Sequence, residues 1–200
     1  MAPPFDLLDT MMYSIAASGI LSGIALWKLP YRASTDAIEE SGHNMSRGLA
    51  IAIGLNGLFL FLSGTHILFN WIFTSPGGGP NILFGGVAAL GGLNLMGFSA
   101  ALFWNRGLKA VSYSAAVLGA YLVVDAYSIL AYGMTSDPLK SALAYLSVAA
   151  ATFLSVPATH SDNKWLRLLF SIGAIAYAAA WLYLGANTTF GHLKPPAPAT

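Results

Sequence analysis

Two ionisable side chains lie deep in apolar sequence. His66 is the only histidine inside an apolar stretch, and Asp125 is the only acid deep inside one, Asp9 standing at the very start of the first. An imidazole and a carboxyl brought together can pass a proton or orient a small solute. In hydrocarbon each also answers the other's need for a partner, because an unpaired charge there is expensive. The same pair can instead serve as a structural clamp between helices, and residue type does not choose between these uses. Other polar residues extend the expected layer. Asn56, Ser63 and Asn70 recur at seven-residue intervals, close to two helical turns, so they share a face with His66 one turn from Asn70. Tyr121, Asp125, Ser128 and Tyr132 follow i, i+4, i+7 and i+11 and line another face. Asn94 stands near the middle of a third apolar stretch. A stripe of this kind is expected to face the interior of a helix bundle or a wet cavity.

Several chemistries are excluded by what surrounds these residues. His43 and His160 are expected at the opposite membrane face from His66, and His192 in the tail, so a bis-histidine haem is not expected and no cofactor is legible. His66 and Asp125 alone are too few ligands for a metal site. Serines are so frequent that spacing cannot test a Ser-His-Asp arrangement. Gly77, Gly78 and Gly79 lack the Lys and Ser/Thr of a phosphate-cradling loop and read as a turn between Pro76 and Pro80. The chain has no cysteine, which removes disulfides, thiolate metal sites and cysteine nucleophiles together. A net charge of +1 offers nothing to nucleic acid.

The elements that must position the polar residues are membrane helices. Of the 200 residues 56% are hydrophobic and 8% charged, against roughly a quarter charged in a soluble domain. The apolar residues fall in six blocks, 7–29, 48–73, 82–104, 108–133, 138–157 and 164–186. A bilayer core needs about 20 apolar residues per helix. The expected architecture is therefore all-α, a single polytopic six-helix transmembrane bundle over 1–200. The opening segment Met1–Thr10 holds Asp6 and Asp9 and no Lys or Arg, so the first block reads as a membrane helix and not as a cleaved signal.

Within the blocks, Ser14, Ser18, Ser22 and the Gly19-x-x-x-Gly23 pattern mark a close-packing face, either an oligomer seam or an internal contact. The third block is dense in glycine and alanine and is expected to press on a neighbour. Asn81 stands where an N-cap belongs, Pro138 suits a first helical turn, and Ser34–Asp36 suits the cap of a short surface helix in the polar connection 31–47. Lys and Arg divide seven to two. Lys28, Arg32, Arg47, Arg106, Lys109, Lys164 and Arg167 lie on one side, and Lys140 and Lys194 on the other. By the positive-inside rule both termini and the Pro-Gly loop face outward, with His66 and Asp125 at similar depth in the outer half.

The stretch Ser63-Gly64-Thr65-His66, Trp71, then Asn81-Ile82-Leu83-Phe84-Gly85, together with Met11-Met12, resembles a family of bacterial and archaeal polytopic membrane proteins defined only as a domain of unknown function. The family pattern has Pro, Tyr and Glu where this chain has Ile72, Pro80 and Gly86. The resemblance covers the first four helices and implies a polytopic membrane fold without an activity.

The leading functional expectation is a cell-membrane protein that binds or passes a small solute or protons through the layer around His66 and Asp125. The alternative is a non-catalytic subunit of a larger respiratory or oxidative membrane complex. The expected partners are the lipid bilayer and further copies or other membrane subunits. No ligand cluster or nucleophile constellation argues for an enzyme.

Overall fold

A computed structural model describes residues 7–28, 40–73, 79–161 and 163–192, without the side chains of residues 40–45 and 192. The expected cap at 34–36, the turn residues 74–78 and the tail from 193 lie outside the described residues, as does the side chain of His43. Among the described residues six helices follow one another: α1 (Leu7–Lys28), α2 (Glu40–Asn70), α3 (Val87–Phe103), α4 (Lys109–Tyr132), α5 (Pro138–His160) and α6 (Lys164–His192). A π-helical segment, Asn81–Gly86, leads into α3. All six spans are long and apolar enough to cross a membrane, and the chain is an all-α, multi-pass membrane protein.

Helix ends depart from the hydropathy pattern where a helix outruns the hydrocarbon. The connection expected over 31–47 is helical from Glu40, and α6 continues to His192. Beyond the bilayer core, polar residues extend a helix without cost, so hydropathy does not mark the boundary. Helix α5 runs through Pro157 to His160 because the proline falls in the last turn, where few further bonds depend on it. Pro138 does occupy the first turn, with Asp137 capping the Lys140 N–H.

The helices form a closed ring: each packs on its chain neighbours, and α6 returns to pack on α1. Three pairs carry the most extensive contact, α2 with α3, α4 with α5, and α1 with α6. In lipid such pairs are held by close packing, since expulsion from water does not act between helices. The α2–α3 seam repeats every two turns. Ser99 Oγ donates to the Ala50 carbonyl at 2.6 Å, Gly57 meets Gly92, and Gly64 meets Gly85, each glycine admitting the other helix's backbone where a Cβ would collide with it. Gly19 and Gly23 do the same for α1 against Ala174, Tyr177 and Ser171 of α6. The Gly-x-x-x-Gly pattern is thus an internal contact. On α4, Gly119 makes room for Ala149 and Thr152 of α5.

Candidate functional site

The interior of the ring is not filled. A partly enclosed cavity of about 140 Å³ is lined by residues of all six helices. Its wall is mainly apolar, from Leu60, Leu95, Phe98, Leu118, Val148 and Trp181 among others. Hydroxyls punctuate it, and most of their protons are already engaged. Ser18 donates to the Ile15 carbonyl, Ser112 to Lys109, Thr152 to Ala149 and Ser155 to Thr152, at 2.6–2.8 Å. Tyr177 Oη lies 3.2 Å from Ser18 Oγ. Back-bonding of this kind lets Ser and Thr sit in an apolar helix with no orphan donor. The cavity therefore presents a hydrocarbon surface with few polar points.

Asp125 lies apart from this cavity, a turn beyond its lining residue Leu122. It is 6% exposed, and its Oδ2 has no hydrogen-bond partner among the described residues. Two tyrosines come within electrostatic range, Tyr121 of α4 and Tyr145 of α5. The Tyr145 hydroxyl donates to the Leu83 carbonyl at 3.3 Å, and its ring lies 5.7 Å from that of Trp181. A Cβ at Gly86 would stand 2.6 Å from the Tyr121 hydroxyl oxygen. Asp125, Tyr121 and Tyr145 thus gather beside the π-helical entry to α3, an irregular turn of the sort that recurs at functional sites.

The expected layer does not assemble as one unit. His66 is exposed on the outside of the ring while its neighbour Ile67 is buried. No ion pair or hydrogen bond joins His66 to Asp125 among the described residues. His66 pairs instead with Asn70, whose Nδ2 donates to its Nδ1 at 2.9 Å and to its carbonyl at 3.0 Å. The two residues occupy the last turns of α2, where a self-satisfied polar pair can face outward. The stripe containing them is turned inward only lower down. Ser63 is buried, and Asn56 exchanges hydrogen bonds with Ser14 of α1, its Nδ2 donating to the Ser14 carbonyl at 2.8 Å. On α4, Ser128 is half-buried and donates to Val124, while Tyr132 is 77% exposed. Asn94 lines the cavity. Its Nδ2 donates to Leu90, and its Oδ1 is enclosed without a partner among the described residues.

Asn81 corrects another expectation. It is fully buried and does not cap its own helix. Its side chain reaches back to Phe73, accepting from the N–H at 2.9 Å and donating to the carbonyl at 2.7 Å. This clamp closes the chain between α2 and α3, and the Phe73 and Phe84 rings meet at 5.7 Å. The Ser63–Gly85 stretch is thereby explained as helix packing: Gly64 on Gly85, Asn81 on Phe73, Leu83 buried under Tyr145. His66, Trp71 and Ile82 are exposed and stand outside this packing.

Sequence reasoning assigned no role to Tyr145, Trp181, or the hydroxyls of Ser112, Thr152, Ser155 and Thr159. The spacing of Thr152, Ser155 and Thr159, i, i+3 and i+7 on one face, was the available signal. Among the described residues, no group of three or more His, Asp or Glu gathers to hold a metal.

No curated protein matches the chain, and no solved structure matches it. A family model described as "Protein of unknown function (DUF981)" matches residues 1–195, and the chain belongs to that family.

Proposed function

We propose that this membrane protein binds a small, mainly apolar solute inside its helix ring. The observation that carries the reading is the cavity of about 140 Å³ to which every helix contributes. An apolar cavity of roughly 150 Å³ in another protein stays dry and takes up benzene or xenon. A space of that size in a close-packed bundle forgoes dispersion contacts that a solute would restore. Binding in the cavity replaces passage through a His66–Asp125 layer as the preferred mode, because those two side chains face different surroundings. The complex-subunit alternative has no observation of its own, since the glycine faces that could seat other subunits meet helices of the same chain at Gly19, Gly23, Gly57, Gly64 and Gly92.

The test uses protein in nanodiscs and 4-fluorotoluene followed by ¹⁹F NMR. A distinct bound resonance that saturates is expected with the native chain. Ala151→Leu, which projects a larger side chain into the cavity from α5, should abolish it while the helical content is kept. A bound resonance that Ala151→Leu leaves unchanged, or none with the native chain, refutes the reading.

A further inference from the structure

We infer that the solute is one dissolved in the bilayer, and that it enters the cavity sideways between α3 and α4, past Gly91, Asn94 and Gly97. The inference rests on the proposed solute binding and concerns the route and thereby the class of solute.

Five of the six seams of the ring are tied by a side-chain hydrogen bond. Asn56 joins α2 to Ser14 of α1, and Ser99 joins α3 to Ala50 of α2. Thr159 donates to Ser112 across α4–α5 at 2.9 Å. Trp181 Nε1 donates to the Ala144 carbonyl across α5–α6 at 3.3 Å. Ser171 donates to the Gly23 carbonyl across α6–α1 at 2.9 Å. Among the described residues no hydrogen bond crosses from α3 to α4, and these two touch least of all the ring neighbours.

The packing at that seam is correspondingly thin. A Cβ added at Gly91 would meet nothing nearer than Leu118 Cδ2 at 3.9 Å, and one at Gly97 nothing nearer than Val111 Cγ2 at 4.0 Å. Glycines in the tied α2–α3 seam leave no such room. Gly91 and Gly97 each lie three residues from Asn94, so the three share one side of α3. Gly91, Asn94, Val111 and Leu118 all line the cavity, which makes the α3–α4 seam one of its walls. Asn94 has the chemistry to tie that wall shut and does not: Nδ2 donates within its own helix and Oδ1 is unpartnered. At its outer end the seam is closed by Tyr121 against Gly86. The weakest part of the ring therefore opens on lipid, and the wall behind it is apolar. Molecules that partition into hydrocarbon fit such a path, while ions and strongly hydrated solutes do not.

The test exploits the absence of native cysteine. Gly97→Cys with Val111→Cys is cross-linked after folding by a short bis-thiol-reactive linker that dithiothreitol releases, and a second pair, Ser14→Cys with Asn56→Cys, locks the α1–α2 seam. Exchange of 4-fluorotoluene is measured by ¹⁹F saturation transfer at matched occupancy. Cross-linking α3 to α4 should slow exchange at least ten-fold, reduction should restore it, and the α1–α2 lock should change it less than two-fold. Unchanged exchange across a locked α3–α4 seam overturns this route while leaving solute binding in place, and equal slowing by both locks overturns it too. No bound resonance in any form, reduced or locked, defeats the underlying binding and the route with it.

Discussion

Gly64→Ala adds one methyl group where two helix backbones already touch. The new Cβ would stand 2.6 Å from the Gly85 carbonyl oxygen and nearer still to the Ala89 nitrogen, whereas ordinary contact begins near 3.4 Å. Both neighbours are backbone, so no side chain can swing aside. The α2–α3 pair must part by about 1 Å, a gap large enough to forfeit much of the dispersion attraction along the seam. Gly57 and Gly92 lie two turns further along the same seam and would be pulled apart with it. Overpacking of this kind costs about 1–3 kcal/mol, against at most about 1 kcal/mol gained from the better helix propensity of alanine. Gly97→Ala is the matched control on α3, because its Cβ would meet nothing closer than 4.0 Å. It should be neutral or stabilising by up to about 1 kcal/mol. The propensity gain is common to both variants, so reversible unfolding in mixed micelles should separate them by the overpacking cost, about 1–3 kcal/mol. A Gly64→Ala protein as stable as Gly97→Ala would show that the close glycine contact does not hold α2 to α3.

Asn81→Ala removes both bonds of the Phe73 clamp and should cost about 2–4 kcal/mol in the same assay; a loss under about 1 kcal/mol would refute the clamp as a stabilising element. Because His66 and Asp125 share no partner, His66→Ala and Asp125→Ala should lower stability additively to within about 0.5 kcal/mol, and a larger coupling energy would put the two side chains back together. Asp137, in the turn before α5, is held below the usual carboxylate range by hydrogen bonds from the Lys140 side chain and backbone N–H. A lowered folded-state value stabilises above the ordinary Asp range and is lost as pH falls through it, so the unfolding midpoints of native and Asp137→Asn protein should converge on acidification; a gap that persists to the lowest pH speaks against the interaction. The positive-inside expectation of outward termini requires that Ser136→Cys react with an impermeant thiol reagent in intact cells and that Gly107→Cys not react, and the reverse pattern would invert the orientation.

The number of helices and their order were legible in the chain. Hydrocarbon leaves a spanning backbone one solution short of a closed barrel, so a run of about 20 apolar residues already means a helix. Capping and turn chemistry were partly legible too: Pro138 and Asp137 start α5 as their types suggest. Asn81 misled because an amide before a helix suits an N-cap equally well as a clamp on a residue eight positions earlier, and only the returning chain decides. The direction each helix faces was not legible. In a soluble protein the polar side of a helix declares which side is out, but these helices are apolar on the lipid side and the interior side alike. Asn56 and Asn70 belong to one sequence stripe, yet one is held by α1 and the other lies exposed at the end of α2. His66 and Asp125 looked paired because depth can be counted along a chain and azimuth cannot. Ring closure by α6 on α1, the cavity it encloses and the untied α3–α4 wall depend on which small residues meet across space, and tertiary packing alone settled them.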